Sequence, residues 1–464
     1  MRGKILTGIV TTALFCLLFA VNTFAGEDVS IDATNFPDAN FRTFVSENYD
    51  LNGDKILQDS EISGVVEMLV LYEDIKSLKG IEYFYNLEKL NCTNNQLTTL
   101  DVSKNSKLKE LECSANQLTS LEVSKNTKLE KLECYENMLT ELDLSKNTSL
   151  VSISCVDNQI KKLDMSNNTE LKSLNCIRNE IEVIDVSKCT KLTYLGCTNN
   201  EITNLDVSNC VELETLDCSY NKLKQLDVTK NVALEWLFCF WNELEALDVT
   251  NNTALEWLYC TGNDIKEIDV SKNIALEELH CDYCGLTKVD ISKNVNLEDL
   301  DVAGNRLISI DVSNNDKLTH LNVYSQTIFC VPIEKDGKFF IDLSDYEINP
   351  DVITEITNGS YNPSTKRIEL SVKDDCKFMY FTGFEDVYMD VEIILEEGSV
   401  KDETEAETFE EVNTEAPVNE TVLELPKWIL PAIIAVVAVI VIAVVVIVVV
   451  KAQRKKQDNW YTKK

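Results

Sequence analysis

The sequence predicts a solenoid of short parallel strands with little regular helix, and three observations carry the prediction. Eleven consecutive 21-residue windows run from Leu87 to Lys317 without an insertion. Each is built on L-x-x-L-x-C-x-x-N-x-L-x-x-L-D-V-S-x-N-x-x, and the cysteine returns at window position 6 in ten of them. The first window reads LEKLNCTNNQLTTLDVSKNSK and the eighth LEWLFCFWNELEALDVTNNTA, in the same frame. A fixed period near 20 with leucines at these offsets is the signature of a leucine-rich repeat, whose unit contributes one strand and buries its apolar face only by stacking on its neighbours. The predicted fold is thus a leucine-rich repeat solenoid with a parallel β-sheet on its concave face, a small helical N-terminal cap and a C-terminal β domain.

Taken in order, residues 1–25 have the parts of a secretory signal peptide: basic Arg2 and Lys4, an apolar run and a small-residue cleavage site at Thr23 and Ala25. Residues 26–86 form the N-terminal cap, with Phe41, Phe44 and Val45 at helical spacing. The run DLNGDKILQDSE within it has the pattern of an EF-hand-like loop. Asp50, Asn52 and Asp54 fall at loop positions 1, 3 and 5, Ile56 offers a carbonyl at 7, Gln58 stands at 9 and Glu61 at 12. A structural calcium ion is expected there. Lys55 replaces the usual glycine of such a loop and pays about 1 kcal/mol for a left-handed backbone. An imperfect capping repeat, Glu67 to Asn86, leads into the solenoid at 87–330.

From 331 to 397 the period gives way to strand-like alternation, read as a small β domain. Residues 398–426 hold nine acids and one lysine, the composition of an acidic disordered stalk. Trp428–Val450 is uncharged, so 427–450 reads as a transmembrane helix, followed by a short basic tail at 451–464. The positive-inside rule then gives a single-pass protein of the cell membrane, its N-terminal region extracellular and its C terminus cytoplasmic.

The formal charge of −35 is carried between two basic ends, and so acidic a surface argues against nucleic acid as a partner. The ten in-frame cysteines, Cys92 to Cys281, form a ladder and not a disulfide framework. Parallel side-chain directions disfavour the disulfide dihedral, ligands in a straight row do not converge on zinc, and a free thiol packs as a small hydrophobe. Cys189 and Cys210 share another position where Asn is usual, and Cys330 and Cys376, beyond the repeats, leave bridging open. Asn recurs at positions 9 and 19, where its amide satisfies backbone groups left free at the turns. Position 15 is Asp in ten windows and Glu122 in the other, a solvated column moderated by Lys104, Lys125 and Lys146, with weak cation binding as the alternative.

Function is sought in the outward columns, because positions 4 and 6 point inward while 3, 5 and 7 emerge on the concave face with 8 at its edge. Early windows place an ordinary charged surface there, with Lys89, Asn91, Glu110, Glu112, Lys131 and Glu133. From the sixth window the columns hold Tyr194, Tyr220, Trp236, Phe238, Phe240, Trp241, Trp257, Tyr259, His280 and Tyr283. The solenoid core has no use for aromatic rings at these positions, and a contiguous exposed patch marks an interaction site. With Glu256, Glu277, Glu278 and Asp282 beside them, the rings suit a protein, sugar or cationic ligand. The competing account is that position-8 rings fold back over the turn, or that the C-terminal domain covers the patch. An enzyme is not expected: His280 and His320 lie two coils apart, with no nucleophile at a recognisable spacing from either.

These windows resemble the bacterial internalin-type leucine-rich repeats, specifically the 21-residue variety with a cysteine ladder, over Leu87 to Leu321. SLKGIEYFYNLEKLNCTNNQLTTLD, from Ser77, is similar to the lead-in of the internalin first repeat. The resemblance implies a parallel-stranded solenoid, a helical cap, a β domain behind it, and a role as a surface adhesin or binder. The chain departs from that family in lacking an LPXTG sorting motif and in its calcium-type loop, so host invasion is not carried over. The expected function is therefore a membrane-anchored extracellular leucine-rich repeat protein that recognises a protein or glycan through an aromatic concave patch. The alternative is a structural envelope spacer or self-assembling surface protein.

Overall fold

The structure, a computed structural model, describes residues 28–344, 353–384, 387–396 and 401–402. The signal peptide, the apolar stretch 427–450 and the tail 451–464 lie outside the described residues.

Thirteen three-residue strands, from Glu67–Leu69 to His320–Asn322, form one parallel sheet in chain order. Leu at window position 4 pairs with its counterpart in the next turn, as in Leu216 with Leu237 and Leu237 with Leu258, so each column of side chains is continuous. The inner face is closed by the repeat itself: Leu234, Leu237, Cys239, Leu244, Leu247 and Val249 of the eighth window are all buried. Each such leucine contributes roughly 1.5–3 kcal/mol once stacking covers it. The second half of each window runs in turns, with one further parallel strand pair, Lys162–Asp164 with Val183–Asp185.

Two asparagine columns hold successive turns together. At position 9 the Asn116 amide donates to the Cys92 and Cys113 carbonyls at 3.0 and 3.1 Å while its Oδ1 accepts from Leu97 N–H at 3.0 Å. At position 19 the Asn126 amide donates to the Val102 and Asn105 carbonyls at 2.9 and 3.0 Å, and its Oδ1 has no donor. Cys189 and Cys210 take over that second role with weaker thiol donors: Cys189 reaches the Met165 carbonyl at 3.5 Å and Cys210 the Val186 carbonyl at 3.6 Å. Cys284, which sequence reasoning passed over, stands in the position-9 column and donates to the Cys260 carbonyl at 3.2 Å. Its only signal in the sequence is a gap in the asparagine series.

The ladder cysteines are buried free thiols, as are Cys189, Cys210, Cys284 and Cys376, while Cys330 is half-buried. Cys330 and Cys376 are therefore not bridged. Burial pushes Cys92 and Cys155 up to about 12, which keeps them protonated and unreactive at neutral pH. The acidic column at position 15 is a set of turn caps: Asp248 accepts from Thr250 N–H at 2.9 Å, and the same contact repeats from Asp101 to Ser103 onward. These bonds hold the Asp248 carboxyl below the usual range, which answers the repulsion along the column.

The helix Ala39–Tyr49 of the cap starts at Asp38, whose side chain accepts from Asn40 and Phe41 N–H and, through its other oxygen, from Lys76 N–H at 2.8 Å. Phe41 and Val45 face inward. Behind the solenoid lie a four-stranded sheet, in which Gln326–Cys330 pairs parallel with Tyr388–Leu395, and a five-stranded sheet. Gln326 closes the position-9 column, donating to the Val302 carbonyl at 2.9 Å. Lys401 and Asp402 pair with Ile333 and Glu334, so strand pairing extends past residue 397 into the stretch expected to be a disordered stalk.

One expectation is corrected. Among the described residues no helix is long and apolar enough to cross a membrane, so the single-pass localisation with an extracellular N-terminal region and a cytoplasmic C terminus has no structural support. It rests on hydropathy within 427–450 alone, a stretch outside the described residues.

Candidate functional site

Strand pairing brings the position-3 and position-5 aromatics together in the order the columns require. Trp236 pairs with Trp257 and Phe238 with Tyr259, and Tyr259 with His280. The Trp236 and Trp257 rings lie 5.7 Å apart, Phe238 meets Tyr259 edge-on at 5.1 Å, and Tyr259 stacks on His280 at 4.2 Å with the planes 3° apart. Trp257 is only 5% exposed and Phe238 6%, because neighbouring rings cover them. They are the floor of the patch and not its contact surface. Tyr194, Trp236, Tyr259 and His280 are half-buried.

A second row runs along the edge. Tyr220, Trp241 and Tyr283 occupy position 8 with φ of 50°, 53° and 52°. The whole column is left-handed there, at roughly 1 kcal/mol for each non-glycine residue. Tyr220 stacks on Trp241 at 6.3 Å and packs edge-on against the half-buried Phe240 at 5.3 Å. Trp241 is 49% exposed and Tyr283 58%, so these two are the accessible rings.

Both fold forward over a glycine one turn on. A Cβ on Gly262 would lie 2.8 Å from the Trp241 ring, and one on Gly304 would lie 2.5 Å from the Tyr283 ring. Rings at position 8 do fold over the turn, as the competing account held, yet they stay half open to solvent. Gly196 plays a similar part beneath Tyr194, whose hydroxyl would sit 2.6 Å from an added Cβ. Sequence reasoning missed these glycines. Their signal was a glycine at an outward column beside an aromatic residue in the same or preceding window.

The polar surroundings are acidic. His280 Nε2 lies 3.3 Å from Asp299 Oδ1. Burial lowers the affinity of His280 for a proton, but the carboxylates of Asp299, Asp301 and Glu278 outweigh it and the net shift is upward. Tyr259 donates its hydroxyl to Glu278. Asp217, in the position-5 column between Gly196 and Phe238, accepts from Ser219 N–H at 3.2 Å, and burial pushes its carboxyl up. The His320 ring lies 3.0 Å from the Thr319 hydroxyl, and its strand position is paired with that of Asp299.

The EF-hand-like loop is well formed in backbone terms. Gly53 and Lys55 take φ of 77° and 65°. Asp50 accepts from Gly53 and Lys55 N–H at 2.9 and 3.0 Å, Asp54 from Ile56 N–H at 2.8 Å, and Glu61 from Leu51 and Gln58 N–H at 2.8 and 3.0 Å. Asn52 accepts from Asp54 N–H at 2.9 Å. Among the described residues no three His, Cys, Asp or Glu side chains gather at a metal-binding spacing.

No family model matches the sequence, and no curated protein does. Two solved structures from Listeria monocytogenes are similar. The functional domain of InlJ, which includes a cysteine ladder, is 28% identical, covers 80% of this chain and 99% of its own, and superposes with a TM-score of 0.59. The internalin InlF is 25% identical over 64% of this chain and 98% of its own, with a TM-score of 0.52. The unbroken 21-residue frame and the buried thiol column make this chain a leucine-rich repeat protein with a cysteine ladder, similar in both respects to the internalin structures.

Proposed function

We propose that this chain is an adhesin-type binding protein that recognises a protein ligand through the aromatic surface of windows six to ten. The observation that carries the reading is the pair of half-exposed rings, Trp241 and Tyr283, each seated on a glycine, with Trp241 also stacked on Tyr220. Rings held in place lose little entropy on binding, and large aromatic side chains dominate binding energetics at interfaces. The patch spans about 19 Å at strand spacing, a suitable length for an extended segment or a small domain face. His280 lies beside the Asp299 carboxylate and not beside a hydroxyl or thiol, which favours binding over catalysis.

The test is a screen of the purified chain against protein and glycan arrays, followed by the double substitution Trp241→Ala and Tyr283→Ala. Loss of a protein hit at unchanged melting temperature supports the reading. Capture of glycans alone, or capture that ignores the double variant, overturns it. Trp257 is the wrong choice for such a test, because removing a buried Trp costs about 3–5 kcal/mol and confounds binding with folding.

A structural calcium ion at Asp50, Asn52, Asp54, Ile56 and Glu61 is a second, separate proposal. The left-handed backbone at Lys55 supports it, since that is the conformation such a loop demands of its sixth residue. Binding would turn carboxylates now capping amides toward the ion. Calcium added to metal-stripped protein then raises the melting temperature, and the Asp50→Ala variant does not respond; an unchanged melting curve rejects the ion.

A further inference from the structure

The outward face is divided in its charge as well as its rings. In the first five windows bases and acids pair between neighbouring turns, Lys89 with Glu110 at 2.9 Å, Lys109 with Glu88 at 2.7 Å, Lys131 with Glu112 at 2.7 Å and Arg178 with Asp157 at 2.6 Å, and within one strand, Lys131 with Glu133 at 2.7 Å. Over positions 1 to 8 that half sets five bases against seven acids. From window six to window eleven, positions 1 to 8 contain ten carboxylates and no Lys or Arg. Five of them, Glu214, Glu235, Glu256, Glu277 and Glu298, are stacked at position 2 through successive backbone bonds of 2.7–2.9 Å.

These acids border the rings along one margin and at one end. The position-2 column lines one margin, and Glu278, Asp282, Asp299 and Asp301 lie toward the C-terminal end. The groups that hold them include hydroxyls, amides and His280: Tyr259 on Glu278, Thr261 on Asp282, Asn322 on Asp301 at 3.0 Å. Asp217 sits among rings, and the Trp236 indole N–H is buried without an acceptor among the described residues. A repeat that pairs its charges in one half and leaves one sign in the other has a surface complementary to a partner of the opposite sign.

We infer that windows six to eleven seat a cationic protein segment, its Arg or Lys side chains lying on the aromatic rings and reaching the carboxylates at the margins. This rests on the reading of the aromatic surface as a binding site and names the chemistry of its partner. Guanidinium groups stack on Trp and Tyr faces and bond carboxylates in a fork, so one side chain uses both features. An anionic polymer is repelled by the same columns.

The test uses the intact chain and three twelve-residue probe peptides, alternating Gly with Arg, with citrulline or with Glu. Citrulline keeps the shape of Arg without its charge. The Arg peptide is expected to bind at least about tenfold more tightly than the other two and to weaken with added salt. Glu277→Lys with Glu298→Lys is expected to weaken it about tenfold, while Glu212→Lys with Glu245→Lys, the same change in net charge at exposed sites outside these columns, changes it less than threefold. Equal binding of the citrulline peptide, or equal loss in both double variants, overturns the inference. If Trp241→Ala with Tyr283→Ala still abolishes binding when charge reversal does not, the aromatic reading stands and the cationic partner falls; if neither changes binding, both fall.

Discussion

Replacing Asn242 and Asn252 by Ala separates two clamps that look alike in the sequence. Asn242, at position 9, makes three hydrogen bonds: its amide donates to the Cys218 and Cys239 carbonyls at 3.0 and 3.1 Å, and its Oδ1 accepts from Leu223 N–H at 3.0 Å. Asn252, at position 19, makes two, to the Val228 and Asn231 carbonyls at 2.9 and 2.8 Å, and its Oδ1 has no donor. With about 1 kcal/mol for each bond, and more for a buried amide left without an acceptor, Asn242→Ala costs about 3–4 kcal/mol. Asn252→Ala removes an orphaned oxygen along with its two bonds and costs about 1–2 kcal/mol. Asn252→Cys recovers part of that, because Cys189 and Cys210 already serve in this column. Urea denaturation followed by circular dichroism gives the three values. Asn252→Ala costing as much as Asn242→Ala, or Asn252→Cys falling as far as Asn252→Ala, refutes the division of labour.

Two further outcomes follow from the ionisable groups. Burial raises the Asp217 carboxyl, so its folded pKa exceeds the unfolded value and its charge opposes folding at neutral pH. Asp217→Asn should therefore raise the melting temperature at pH 7, with the gain fading on acidification through the raised pKa, and should weaken Arg-peptide binding; a lower melting temperature at pH 7 contradicts this. The position-15 caps shift the other way. Asp101, Asp143, Asp227, Asp248, Asp269 and Asp290 are lowered, so their contribution is full above the unfolded value of 3.8 and is lost as pH falls below it through the folded values. Thermal melts from pH 5 down to pH 2 should show a drop beginning near pH 4, smaller in a variant with several of these Asp changed to Asn.

The solenoid was legible because its signal is redundant. Eleven copies of one spacing leave no other stable way to bury Leu237, Cys239 and Val249 together, and the paired strands follow in register. The site was legible only as a set of columns. Alternation along a strand says that Trp236 and Trp257 face outward, but not that Trp257 is covered by its neighbours, since ring-on-ring burial depends on side-chain rotation. Gly262 and Gly304 escaped notice because a glycine in a strand or turn is ordinarily a backbone matter, and here it is room for a ring from the preceding turn. The charge division was present in the letters from the start. It became meaningful once Lys89, Lys109, Lys131 and Arg178 proved to be paired with acids, which made the half without bases in these columns an exception.

Because each asparagine clamps only its own turn and the one before, a whole window can be lost or gained without disturbing the rest. The first five windows, which carry no aromatic floor, then act as interchangeable shims. Removing one brings the aromatic face about 4.8 Å closer to the N-terminal cap and leaves its side chains intact. How far the face stands from that end, and what it holds, are settings this chain can change independently, one by counting repeats and the other by choosing what the outward columns display.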